Sequence, residues 1–249
     1  MSDRQPTRSK RENVDPNRKF DKTSLHETAH GTWIHRDYGA HYFRWGFTGR
    51  FVTNATEVLD VGCGPEFALV KALTMPRNTV PKCYVGVDMN KAPRKPIVRQ
   101  WSEYHWEFDF TARFKELKQK FDLITNFEVI EHMHKEDGEK LLAAMRACLK
   151  PDGMILLSTP VFNGHAAANH LHEWEIPELD AAIHRAKLKT VRRFGTFAQL
   201  PKIRKAATPE DWSVYKRLSE YYGAEVMACF LAPLYPDVSS NNVWMIKHV

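Results

Sequence analysis

Val58-Leu59-Asp60-Val61-Gly62-Cys63-Gly64-Pro65-Glu66 decides the fold. An apolar run ends at an Asp, turns through Gly-x-Gly and enters a segment with helical spacing. Glycines at such a turn let the backbone reverse sharply and approach a ligand closely. In open α/β sheets ligands bind outside the carboxyl ends of the strands, which places this turn at a binding site. A dinucleotide site wants a third glycine so that a pyrophosphate can sit on the helix N-terminus. Glu66 stands near that position, and its charge opposes a pyrophosphate. The turn suits a ligand without phosphates.

Outward from this turn the chain alternates between two periodicities. Strands are predicted at Glu57–Val61, Cys83–Asp88, Glu107–Phe110, Phe121–Asn126, Met154–Ser158, Thr190–Phe194 and Val243–Val249. Helices are predicted at Glu66–Thr74, Glu136–Leu149 (stopped by Pro151 and Gly153) and Ile176–Ala186, with an inserted helix from Pro209 to about Leu231. This rhythm predicts an α/β fold: a Rossmann-like, mostly parallel seven-stranded sheet with helices on both faces. Three segments are expected: a polar, basic tail (1–24), a helical cap (25–54) and the α/β domain (55–249). In the cap, Phe43, Phe47 and Phe51 recur on one helical face, with Tyr38, Tyr42 and Trp45 among them and Arg36, Arg44 and Arg50 interleaved. That helix reads as a lid across the mouth of the domain or as core.

Composition narrows the class. Of 249 residues, 43% are hydrophobic and 27% charged, which is globular. No apolar run is long enough for a membrane helix, and the N-terminus lacks a secretory h-region. Cys63, Cys83, Cys148 and Cys229 form no CxxC pair and read as reduced thiols in a cytoplasmic protein. The formal charge is +6, and no acidic residue stands between Asp180 and Glu210. That stretch carries Arg185, Lys187, Lys189, Arg192, Arg193, Lys202, Arg204 and Lys205. It is either a solvated basic surface or a contact for RNA, DNA or nucleotides.

Three acidic positions follow three successive predicted strands: Asp60, Asp88 (followed by Met89) and Asp109 (followed by Phe110). A carboxylate at the second can take both ribose hydroxyls of a ligand; one at the third can accept from an adenine amine. VLDVGCG, GVD, DF, FDLITNFEVIEHM and LKPDGMILLSTP together resemble class I S-adenosylmethionine-dependent methyltransferases over roughly residues 50–200. The resemblance implies S-adenosylmethionine as cofactor. Asp60, Gly62, Cys63 and Gly64 would line its methionine end and Asp88 would hold the ribose. Met89 would flank the adenine, and Asp109 and Phe110 would hold the adenine amine and ring. Asn126 and Phe127 would form the floor. Arg44 is a further candidate, for the cofactor carboxylate.

Glu128, Glu131 and His132 have i, i+3, i+4 spacing, which places them on one face if the segment is helical. His170 and Glu173 lie downstream in His170-Leu171-His172-Glu173-Trp174. Carboxylates and imidazoles converging on a cleft suit Mg²⁺ or Mn²⁺, which could lower the pKa of a substrate hydroxyl. Glu-x-x-Glu-His, Ser158-Thr159-Pro160 and His-x-x-Glu-Trp are similar to the motifs of small-RNA 3′-terminal 2′-O-methyltransferases. That resemblance implies Glu128, Glu131, His132 and His170 as metal ligands, with Glu131, His132 and His170 as candidate catalytic residues. Small-molecule methyltransferases of the class carry the same Glu-His step as a structural or plain acid/base element, so both readings stand. The leading expectation is methylation of a ribose or other sugar hydroxyl on nucleic acid or a nucleotide. Small-molecule O- or N-methylation without a metal is the alternative, and a non-catalytic nucleic-acid-binding protein on this fold is the alternative of another class. Neither Asn-Pro-Pro-Tyr nor a Pro-Cys pair follows the fourth predicted strand, which counts against base methylation.

Overall fold

The computed structural model describes residues 36–75 and 79–249, without the side chains of 36–38, 41 and 42. The predicted tail (1–24) and the first part of the predicted cap (25–35) lie outside the described residues. Seven strands form one sheet: β1 (Glu57–Val61), β2 (Cys83–Val87), β3 (Ser102–His105), β4 (Phe121–Phe127), β5 (Leu149–Pro160), β6 (Leu188–Phe197) and β7 (Asn241–His248). Their order is β3-β2-β1-β4-β5-β7-β6. All neighbours are parallel except β7, which runs antiparallel to β5 and β6. The order reverses between β1 and β4, and that switch point opens a crevice at the carboxyl ends of the strands.

Helices cover both faces because the central strands are apolar on both sides. On one face α4 (Lys135–Cys148) and α5 (Ile176–Arg185) bury Leu141, Leu142, Met145, Leu179 and Ile183 against β1, β4 and β5. On the other face α2 (Ala68–Leu73) buries Leu69, Val70 and Leu73 against Val58, Tyr84 and Leu123. α5 opens with a capping box, the Glu175 and Glu178 side chains bonding each other's backbone end. α1 (Arg36–Thr48) packs its aromatic stripe inward. Phe43 meets Phe230 at 5.2 Å between ring centroids, and Phe47 meets Phe194 at 4.6 Å and Phe51 at 5.1 Å. These rings are packing elements between α1 and the β6 edge. Among the described residues no helix is long and apolar enough to cross a membrane.

Three expectations are corrected. The third strand is Ser102–His105, not Glu107–Phe110. At the sheet edge its residues are only half-buried, so no apolar alternation marks it. Glu107 instead takes a left-handed turn (φ +51), and Asp109 caps the short helix α3 (Phe110–Arg113). The inserted helix is three helices: α6 (Leu200–Ala206), α7 (Pro209–Tyr222) and α8 (Ala224–Leu231). Gly223, at φ +80, breaks α7 from α8. The segment Glu128–His132 is not an α-helix: Glu128 has φ +58, and only Ile130–His132 forms one 3-10 turn. The i, i+3, i+4 argument therefore does not place Glu128 beside Glu131 and His132.

The turn after β1 depends on Gly62, at φ +80. A Cβ there would lie 2.2 Å from Val129 Cγ2, in the loop after β4. The missing third glycine is also accounted for. Phe67, three residues beyond Gly64, takes the left-handed conformation itself (φ 55) and is held by edge contacts to Tyr104 and Trp106. Gly62→Ala combines backbone strain with an overlap that Val129 must relieve, a cost of about 1–3 kcal/mol. Its melting temperature should fall by several degrees in calorimetry, whereas an unchanged melting temperature would show that the turn can relax.

Candidate active site

The carboxyl ends of the strands line a cleft of about 1280 Å³. A single small-ligand site usually takes about 300–1,000 Å³, so cofactor and acceptor can share this one. Its described lining carries Asp60, Glu66, Asp88, Glu107, Asp109, Glu128, Glu131 and Glu173, against one lysine, Lys91, and no arginine. The cleft of this basic chain is thus acidic.

Asp88, 7% exposed, ends β2 opposite the Gly turn. Its Oδ2 accepts from the Gly64 amide (2.9 Å) and its Oδ1 from the Asn90 amide (2.7 Å). Each oxygen keeps a lone pair for a ribose hydroxyl. Asp109 uses one oxygen, Oδ1, for the Thr111 and Ala112 amides and the Thr111 hydroxyl. These bonds, the Thr111 hydroxyl foremost, hold its carboxyl below the usual range. The second oxygen, Oδ2, is then the one available to an amine. Met89, Phe110, Cys63, Gly62, Gly64 and Phe127 all line the cleft.

Two candidates, Asn126 and Arg44, sit elsewhere than expected, and Asp60 lines the cleft with its oxygens already engaged. Asn126 is fully buried behind the cleft floor, its Nδ2 donating to Val61 O at 3.0 Å, so it ties β4 to β1 instead of lining the site. Asp60 lines the cleft, but its oxygens accept from Thr125 Oγ1 (2.6 Å) and Tyr84 Oη (2.7 Å). Arg44 is buried and absent from the cleft lining. Its Nη1 lies 2.9 Å from Glu128 Oε1 and 3.3 Å from Asn241 Oδ1. Glu128 is also held by Ser158 Oγ (2.7 Å) and Asn241 Nδ2 (2.8 Å). Arg44 therefore joins α1 to the site wall, not to a bound carboxylate, and Glu128 spends its charge there.

The other proposed ligands converge. Ligand atoms of Glu131, His132 and His170 all lie within 4.8 Å of one another. The 3-10 turn carries Glu131 and His132, and a loop after β5 brings His170. Leu171 N (2.8 Å) and His172 N (3.1 Å) both donate to Glu131 O, fastening that loop to the turn. Glu131 is 1% exposed, with Oε2 accepting from Thr159 Oγ1 at 3.1 Å. Burial, reinforced by the Glu128 charge, pushes its carboxyl well above the usual range. His132 Nδ1 lies 3.0 Å from Asn169 O. A carbonyl only accepts, so Nδ1 is the protonated nitrogen and Nε2 carries the lone pair. His170 Nδ1 lies 2.5 Å from Glu173 Oε1, which also accepts from the Ala167 amide at 2.9 Å. Glu173 was not singled out as a site residue; only the local His-x-x-Glu spacing signals it.

The basic stretch does not reach this cleft. Arg185 pairs with Glu139, Arg193 pairs with Asp237 and lies over Trp244, and Arg204 lies over Trp212. Lys189 and Arg192 occupy exposed positions of the edge strand β6, where cations discourage edge-to-edge pairing.

Asp60 gives a pH test of the frame. Burial raises its carboxyl from 3.8 to about 6. The folded state therefore favours the protonated form: the stabilisation is full below about pH 3.8 and lost as pH rises through about 6. Asp60→Asn removes this dependence. Relative to wild type, the variant should gain stability between pH 4.5 and 7.5 in denaturant titrations; a pH-independent difference would contradict the assignment.

A methyltransferase-domain family model matches residues 13–194. A ubiquinone biosynthesis O-methyltransferase of Pasteurella multocida (strain Pm70) is 31% identical over 128 residues, 46% of this chain and 48% of that one. The chain thus spans about half the length of the curated relatives it matches. Among solved structures, the Burkholderia thailandensis 1,6-didemethyltoxoflavin-N1-methyltransferase aligns with a TM-score of 0.56 at 17% identity, covering 86% of this chain and 80% of that one. A SAM-dependent methyltransferase from Archaeoglobus fulgidus aligns with a TM-score of 0.56 at 14% identity, covering 86% and 94%. With the family model spanning most of the sequence and the Gly turn and strand-end carboxylates in place, the chain belongs to the methyltransferase-domain family of class I S-adenosylmethionine-dependent methyltransferases.

Proposed function

We propose that this chain transfers a methyl group from S-adenosylmethionine to a hydroxyl oxygen, with a divalent cation held by Glu131, His132 and His170. The observation that carries the reading is the convergence of these three groups within 4.8 Å, each imidazole having its Nδ1 already engaged. Metal-ligating histidines characteristically donate their second ring N–H to a carboxylate or carbonyl, as Glu173 and Asn169 allow here. A buried carboxylate is also costly unless paired or coordinated, and Glu131 is fully enclosed. One carboxylate and two imidazoles suit a borderline divalent ion such as Mn²⁺ better than the oxygen-preferring Mg²⁺, and when bound it would act as a Lewis acid on the acceptor hydroxyl.

The chain's own residues do the rest. Asp88 and Asp109 hold the ribose and adenine of the cofactor. Methyl transfer is a displacement in line with the S–CH₃ bond, so its rate depends on alignment of the hydroxyl oxygen. His132 Nε2 would be committed to the cation, so the acceptor hydroxyl, acidified there, would release its proton to solvent as the O–CH₃ bond forms and the C–S bond breaks; only a metal-free site would leave Nε2 as the base.

The acceptor we favour is a small molecule without phosphate groups. None of Arg192, Arg193, Lys202, Arg204 and Lys205 lines the cleft, and Lys91 is the one lysine in its described lining, so a phosphate chain would find no arginine clamp there. This weighs against the ribose of a nucleic acid or nucleotide and against a non-catalytic nucleic-acid-binding role. The relative from Pasteurella multocida is named a ubiquinone biosynthesis O-methyltransferase, in keeping with an oxygen acceptor. Four free cysteines fit a cytoplasmic setting.

Mn²⁺ binding followed by electron paramagnetic resonance tests the centre. Wild type should bind Mn²⁺, and His170→Ala and Glu131→Gln should weaken it about 10–100-fold. Affinity for S-adenosylhomocysteine should stay unchanged, and a chelator should abolish methyl transfer. Equal Mn²⁺ binding by wild type and His170→Ala, or transfer that survives chelation, would overturn the metal and leave His132 as a general base.

A further inference from the structure

Glu128 stands three residues before Glu131, lines the same cleft and keeps 22% of its side chain exposed. Its carboxylate is held back by groups from three elements. Arg44 Nη1, from α1, lies 2.9 Å from Oε1; Ser158 Oγ, from β5, donates to Oε1 at 2.7 Å; Asn241 Nδ2, from β7, donates to Oε2 at 2.8 Å. Asn241 is itself oriented, since its Oδ1 accepts from Thr196 Oγ1 at 2.8 Å and from Arg44 Nη1 at 3.3 Å. Arg44, Ser158, Asn241 and Thr196 are all buried.

Glu128 is not among the groups that converge: the ligand atoms of Glu131, His132 and His170 lie within 4.8 Å of one another. It is nevertheless close. Behind burial, the Glu128 charge raises the Glu131 carboxyl, and the Arg44 charge opposes it. The Glu128 carboxylate is therefore a natural further ligand for a divalent cation at those three residues, because anionic oxygen suits Mn²⁺. Neutral donors such as Ser158 and Asn241 resist that pull weakly, whereas a charge-assisted bond to a guanidinium is about twice as strong. The Arg44 guanidinium is also buried, so salt screens it little.

We propose that Arg44 is a positioning residue for methyl transfer: it holds Glu128 away from the cation of Glu131, His132 and His170 and so keeps a coordination position open for the acceptor hydroxyl. This role rests on the cation reading given above. A site that activates a bound hydroxyl needs an open position, whereas a full set of protein ligands makes a structural site. Glu128 released from Arg44 fills that position. The cation is then held more tightly and the acceptor hydroxyl is shut out, so cation affinity and competence for transfer move in opposite directions.

Mn²⁺ titrations followed by electron paramagnetic resonance, on the full chain loaded with S-adenosylhomocysteine, test this role. Arg44→Met should bind Mn²⁺ about tenfold more tightly than wild type, the gain from a further anionic ligand, and should transfer methyl groups more slowly. Pulsed resonance in deuterated water should count about one water fewer on its Mn²⁺ than on that of wild type. Adding Glu128→Gln to Arg44→Met should cancel the gain and restore the water, and Arg44→Lys, which keeps the charge, should stay close to wild type. Unchanged Mn²⁺ affinity in Arg44→Met would overturn the role. So would the same tightening with and without Glu128→Gln, since Arg44 would then act only as a distant charge. Should Arg44→Met fail to fold, the water count on wild type decides. Three protein ligands leave about three positions of an octahedral ion to water, and two or fewer would place Glu128 on the cation and overturn the role. Wild type that binds no Mn²⁺ would overturn the cation reading itself, and this role with it.

Discussion

The amides of Leu171 and His172 converge on one carbonyl oxygen, that of Glu131. This double hydrogen bond is the constraint on which the site depends. It fixes a loop after β5 to a turn after β4, two segments about forty residues apart in sequence but adjacent at the sheet edge. Together with the bond between His132 Nδ1 and Asn169 O it holds the loop against the turn, and the His132 and His170 ring centroids stand 5.0 Å apart, nearly perpendicular. The Glu173 carboxylate tightens the same loop by taking the Ala167 amide and His170 Nδ1 together.

The second constraint is the handling of like charge. Glu128 is close enough for its charge to raise the Glu131 carboxyl further above the usual range. The fold separates them by face: Glu128 turns towards Arg44, Ser158 and Asn241, and Glu131 turns towards Thr159. The left-handed backbone at Glu128 makes this separation possible. Arg44, from α1, neutralises the first carboxylate, and the second faces the two imidazoles. Docking of α1 governs the charge in the wall of the cleft, because the arginine that neutralises Glu128 is carried on that helix.

Much of this was legible in the sequence, where local rules apply. The Gly62-Cys63-Gly64 turn announced itself because positive φ is a glycine signature, and the central strands because burial on both faces leaves continuous apolar runs. The edge strand Ser102–His105 was not legible, since a half-exposed edge imposes no alternation. Glu128 was misplaced because identical spacing serves an α-helix or a 3-10 turn preceded by a left-handed residue. The roles of Arg44 and Asn126 depend on partners up to 197 residues away, which no local pattern encodes. Phe67 shows the converse: a non-glycine took the left-handed conformation because aromatic packing compensates its strain.

In the proposed centre two imidazoles present Nε2 to Glu131 because Asn169 O and Glu173 Oε1 hold both Nδ1 protons. The direct measurement is the ¹⁵N spectrum of the histidine side chains at a pH where the rings are neutral, with His132→Gln and His170→Gln variants for assignment. His132 and His170 should both show the Nδ1–H tautomer, the minority form for free imidazole, and addition of Zn²⁺ should perturb both Nε2 resonances. Nε2–H tautomers at either residue would contradict it.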